Sequence, residues 1–205
     1  MAPTLDLTSV RALIPVGDDE MLPPPSLFLH ASDLHGQAHV GRVLIHALRL
    51  IAATGLIEEA PCLWAAVYLH DIARRHDGRC PDHGARAWAR LATLPDVQAR
   101  LARGGVRAED AAAVEYAVGI HCSGEPAETH PHYRLAALLK DADGLDRVRL
   151  NDLKTKMLRH AEARDMVPFA QWLYDETEWT LRPGPGCFAT LWAIVEKGAA
   201  PFSAA

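Results

Sequence analysis

The sequence predicts an all-α bundle folded as one domain. Apolar residues recur at helical spacing through most of the chain. Proline and glycine interrupt it about a helix length apart, and no run of alternating β-branched residues marks a strand. With 205 residues, 49% of them hydrophobic and 23% charged, the chain has the composition of an ordinary globular domain and enough length for one sizeable core.

Residues 1–26 read as an irregular arm ending in the stiff Pro23-Pro24-Pro25 run, and residues 27–205 as the helical domain. The first strong helix is expected from Ser32 or Asp33, either of which can cap it, to Ala53, with Gly55 as its stop. Val40, Val43, Leu44, Ala47, Leu48 and Ile51 form its apolar stripe. Pro61 opens a second helix, Cys62 to about Arg75, which is apolar almost all round and is therefore expected at the centre. Pro81 opens a third, from Asp82 to Leu94. Pro95 and Gly104-Gly105 bracket a short fourth. A fifth is expected from about Ala108 to His121 and a sixth from about Tyr133 to Arg147. Two or three more fill residues 151–182 and 187–197, around the breaker Pro183-Gly184-Pro185-Gly186.

Several functional classes are argued against. The net charge is -5 and the basic residues are scattered, so no nucleic-acid duplex is expected as a partner. The N-terminal residues have no basic stretch followed by an apolar run, and nothing reaches the roughly 18 apolar residues of a membrane span. Cys62, Cys80, Cys122 and Cys187 are too widely spaced for a disulfide framework, which favours reduced thiols and a cytoplasmic protein. Eleven histidines are the unusual count, and they direct attention to metal or acid–base chemistry.

The central feature is His70-Asp71 in LWAAVYLHDIARR, a polar doublet at the end of a hydrophobic helix. A carboxylate carried to the edge of a core needs a charge partner or a metal. Adjacent residues do not share a helix face, so both can reach one ion only if the helix ends there or if they touch different ions. Further candidates are His39 in HGQAHVGRV, His83 in CPDHGARAW, His121 in YAVGIHCSG, and Asp141 and Asp143 in LAALLKDADGLDR. Imidazole and carboxylate together suit Mn, Fe, Co, Ni, Zn or Mg, and such sites can be assembled from inward-facing side chains of several helices.

In this order and with these flanks, His39, His70-Asp71 and Asp143 resemble the HD-domain superfamily over about residues 33–150. The resemblance implies an HD-domain helical bundle, with 151–200 as C-terminal helices, and a metal-dependent phosphohydrolase acting on a phosphate mono- or diester. It favours Asp143, in its Ala-Asp-x-Leu context, over Asp141. His83 and His121 are similar to the extra histidines of two-metal members. In that version Asp71 bridges both ions, His39, His70 and Asp143 hold one, and His83 and His121 hold the other. One or two divalent ions are thus expected. Arg74 looks like the basic residue that follows the doublet in other members, and its planar fork suits phosphate oxygens. Lys140 is expected to offer a point charge to the same substrate. Arg74 and Arg75 stand where some nucleotide pyrophosphohydrolases of the superfamily carry Glu-Asp, which argues against their mechanism. His70, Asp71 and Arg74 are the expected catalytic residues, and a small phosphate ester, of which a nucleotide is one kind, is the expected substrate.

Other readings use the same residues. Some relatives on this scaffold are mixed-valent di-iron oxygenases, and a non-catalytic nucleotide-binding module would need only the pocket. Cys80, His83, His121 and Cys122 could form a structural zinc site, although that geometry usually has tighter spacing. His35 reads as a surface residue or one placed behind the ligands. His30, His46, His76, His130, His132 and His160 read as solvated or capping. The five tryptophans read as core or interface packing, and FAQWLYDETEW as a segment that covers the site or joins two copies in a homo-oligomer.

Overall fold

The computed structural model describes residues 6–198 and 202, and among these the regular elements are all helical. They are α1 (Leu7–Arg11), α2 (Gln37–Thr54), α3 (Ala60–Leu69), α4 (His83–Leu91), α5 (Pro95–Arg103), α6 (Ala111–Ile120), α7 (Tyr133–Leu145), α8 (Ala161–Asp165), α9 (Val167–Thr177) and α10 (Cys187–Gly198), with short 3-10 turns between. No helix of the described residues is long and apolar enough to cross a membrane.

The expected centre is found. Every residue of α3 except Pro61 is buried, because an all-round apolar helix can satisfy itself only among other helices. It packs against α2, α6 and α7, and α4 lies on α6. Trp64 of α3 is 1% exposed and donates its indole N–H to the Met21 carbonyl at 2.9 Å. Its ring fills the space over Gly104, where a Cβ would stand 2.0 Å from a ring carbon. Gly55 ends α2 as expected: it takes φ 72° and its N–H reaches the Ile51 carbonyl at 2.9 Å.

Three expectations are corrected. The arm is not irregular throughout, since α1 lies within it. Asp6 caps α1 by accepting from the Ser9 N–H at 2.7 Å, and Val10, Ile14 and Met21 are fully buried against α2 and the rest of the core. The first helix begins at Gln37, not at Ser32 or Asp33. Ser32 does accept from the N–H groups of Leu34 and His35, at 3.0 and 2.9 Å, but Gly36 is extended and interrupts the turn. The second helix stops at Leu69 instead of running on to Arg75. That early stop turns the backbone under His70-Asp71 and lets neighbouring side chains converge.

Candidate metal centre

The donor side chains sit at helix ends, and the local backbone explains their aim. The last carbonyls of a helix have no partner within it. His70 follows α3 and His121 follows α6, and they use this alike. The backbone N–H of each bonds four residues back, to Ala66 and Ala117. Each ring then donates Nδ1–H three residues back, to the Val67 carbonyl at 2.7 Å and the Val118 carbonyl at 2.6 Å. His83, the first residue of α4, donates Nδ1–H to the Cys80 carbonyl. His39, in the first turn of α2, donates Nδ1–H to Asp146 Oδ2 at 2.7 Å. A carbonyl or carboxylate can only accept, so all four rings carry their proton on Nδ1 and present Nε2 to the interior.

The four Nε2 atoms form two pairs around one carboxylate. His39 and His70 are 3.3 Å apart at Nε2, and His83 and His121 are 2.9 Å apart. Asp71 Oδ2 stands 3.5 Å from His39 and 3.7 Å from His70. Its Oδ1 stands 2.8 Å from His83 and 4.0 Å from His121. Asp143 Oδ1 joins the first pair, 3.4 Å from His39. His39, His70 and Asp143 form one set of closely spaced donor atoms that could hold a metal ion, and His35, His39 and Asp71 form another. His83, His121 and Cys122 form a third.

The charge distribution is compatible with a cation. Two imidazole lone pairs cannot face each other at these distances unless a proton or a metal lies between them. Without metal, one ring of each pair is held protonated and the other neutral. Burial and Arg149 oppose protonation of His39, but Asp143, Asp146 and Asp71 outweigh them and raise it to about 10. Burial likewise opposes protonation of His83, but Asp71 carries it to about 10. Their partners go the other way: burial lowers His70, and burial with the neighbouring His70 and His83 lowers His121 to about 3. Burial would raise Asp71, but His70, His35, His39 and His83 hold it well below the usual carboxylate range.

The cleft outside the donors has a volume of about 500 Å³. Arg74, Arg79, Arg147 and Arg149 line it. Arg74 Nη1 lies 3.6 Å from Asp71 Oδ1, and Nη2 donates to the Gly78 carbonyl at 2.8 Å. Lys140 is not where it was expected. Its Nζ donates to the carbonyls of Ile120, His121 and Gly124, at 3.3, 2.9 and 2.7 Å, and so fixes the turn that carries His121. Asp141 does not pair with Arg147 or Lys140. It accepts from Arg159 and His160 and is fully buried, so Asp143 is the carboxylate that faces His39. Cys80 stands apart from the donor sets and accepts from Arg86, which separates it from the proposed zinc arrangement.

One participant was not singled out by reasoning on the sequence. Asp146 is fully buried and bonds to Arg42 Nε at 2.6 Å and Arg149 Nε at 3.0 Å, as well as to His39. A signal existed in the spacing: His39-x-x-Arg42 and Asp143-x-x-Asp146 are both i,i+3 pairs. His35, expected at the surface or behind the ligands, reaches Asp71 Oδ2 with Nδ1 at 3.1 Å. His46, expected to be solvated or capping, is instead fully buried.

Comparison with protein-family models, with curated proteins and with solved structures finds no match to this chain.

Proposed function

We propose that this chain is a metal-dependent phosphohydrolase of the HD type, acting on a small phosphate ester. The carrying observation is Asp71, which turns one oxygen to the His39–His70 pair and the other to the His83–His121 pair. His39, His70, Asp143 and Asp71 would hold one divalent ion, and Asp71, His83 and His121 a second. Divalent ions there would supply Lewis acidity to a phosphoryl oxygen and to the attacking water.

The chain's own residues supply the rest. The Nδ1–H bonds fix each imidazole before any ion binds, which keeps the cost of ordering the site low. Arg74 presents a guanidinium on the cleft wall, where charge develops on the phosphoryl oxygens. The cleft volume is of the size that takes a small molecule.

The test is elemental analysis of the purified protein, followed by phosphate release from nucleotides and sugar phosphates with Mn, Co, Ni and Mg. His70→Ala and Asp71→Ala are expected to lose metal and turnover while helical circular dichroism persists. Full turnover in either variant overturns the reading. Bound iron with a mixed-valent paramagnetic signal and no phosphate release favours the di-iron oxygenase. Tight nucleotide binding with metal and no turnover favours the non-catalytic module.

A further inference from the structure

A second cavity, of about 470 Å³, shares the Arg149 side chain with the metal cleft. Its walls include Leu34 and Ala38 ahead of and within α2, Tyr174 of α9, and Trp179 and Arg182 just beyond it. Among the described residues Trp179 is the most exposed large apolar side chain, at 74%. Leu34, which lines the same cavity, is 42% exposed. An indole left in water at a cavity rim is a ready surface for a flat apolar group.

Arg149 links the two spaces. Its side chain is 6% exposed. Nε is fixed by Asp146, while Nη1 is buried and has no hydrogen-bond partner among the described residues. Arg74 Nε, on the other cavity-lining guanidinium near the doublet, is likewise buried and unpartnered. Two guanidiniums on the wall of one cleft bring positive charge to a space that can hold an anion.

The geometry points to the second cavity as the subsite for an aromatic leaving group of the phosphate ester, with the phosphate between Arg74 and Arg149 and the ring against Trp179 and Leu34. This rests on the hydrolase reading for its chemistry, but the subsite can be tested by binding alone. Phenyl phosphate and glycerol phosphate differ in the leaving group and share the phosphate.

The experiment measures calorimetric affinity and quenching of tryptophan emission for both esters, and kcat/KM for both with the metal that supports the most turnover. Phenyl phosphate is expected to bind more tightly and to quench emission, and the quenching disappears in Trp179→Phe. Trp179→Ala is expected to lower the ratio of phenyl to glycerol phosphate affinity about tenfold, and Trp179→Phe to restore most of it. Arg149→Lys keeps a charge beside Asp146 but loses the planar fork, and is expected to weaken both esters about tenfold. Equal affinities for the two esters, or a ratio unmoved in Trp179→Ala, overturn the subsite even if both are hydrolysed. Selective binding of phenyl phosphate with no hydrolysis under any metal supports the subsite and overturns the hydrolase reading.

Discussion

His39 Nδ1 and Asp146 Oδ2 meet at 2.7 Å, with the two side chains 1% and 0% exposed. The same carboxylate holds Arg42 and Arg149, so one buried anion serves a ring that faces the candidate metal centre and two guanidiniums. Burial would raise Asp146, but Arg42 and His39 hold it far below the usual carboxylate range. Asp146→Asn keeps the shape and removes the charge. It leaves buried cations uncompensated, at a cost of about 3–5 kcal/mol. It also weakens the support of His39, with metal affinity expected to fall about 10–100-fold. Urea unfolding and metal titration of the variant check both; native stability with native affinity would remove Asp146 from the site.

Metal binding is expected to release protons. Without metal, His39 and His83 each keep a second ring proton, on Nε2, up to about pH 10, and a metal ligand must be without it. At pH 7 about two protons should leave on full loading, and affinity should fall as pH drops. Calorimetry in buffers of different ionisation enthalpy counts them. A count of zero contradicts the pairing of protonated and neutral rings.

His46 sets an acid limit on stability. It is fully buried against Phe169, and neither ring nitrogen has a hydrogen-bond partner among the described residues. Burial, with Arg42, Arg49 and His39 adding to it, lowers its pKa to about 3. The unfolded chain therefore takes up a proton below about pH 6.5 that the folded chain refuses. This contribution is complete above pH 6.5 and is lost as pH falls toward 3. His46→Leu should remove that loss, gaining about 2 kcal/mol at pH 5 relative to its effect at pH 8. An identical effect at both pH values in urea unfolding would contradict it.

Gly84 is where α4 rests on α6. A Cβ there would stand 1.9 Å from the Val118 carbonyl oxygen and 3.1 Å from His121 Nδ1. Gly84→Ala must push the helices apart, with an expected cost of about 1–3 kcal/mol. It should also spoil the His83–His121 pair before the His39–His70 pair, so metal content falls toward one ion per chain. Undiminished stoichiometry in the folded variant would sink this expectation.

Much of the architecture was legible in the sequence, since it follows from local rules. Helical spacing marked α2 through α10, Gly55 stopped α2, and the all-round apolar run placed α3 at the centre. Composition and order singled out His39, His70, Asp71, His83, His121, Asp141 and Asp143 as candidates, the resemblance to the HD-domain pattern favoured Asp143 over Asp141, and all but Asp141 do meet.

Tertiary packing alone decided the rest. His39 and Asp146 are separated by 107 positions, and no periodicity within a helix reports such a contact. Asp141, Asp143 and Asp146 lie on one short stretch, yet their directions around α7 and the following turn send them to Arg159, to His39 and to Arg42. Lys140 was drawn to helix-end carbonyls because an ammonium satisfies itself at the nearest orphan acceptors. The N-terminal arm was drawn inward because Val10, Ile14 and Met21 had apolar surface to bury, and only the assembled helices offered a place for it.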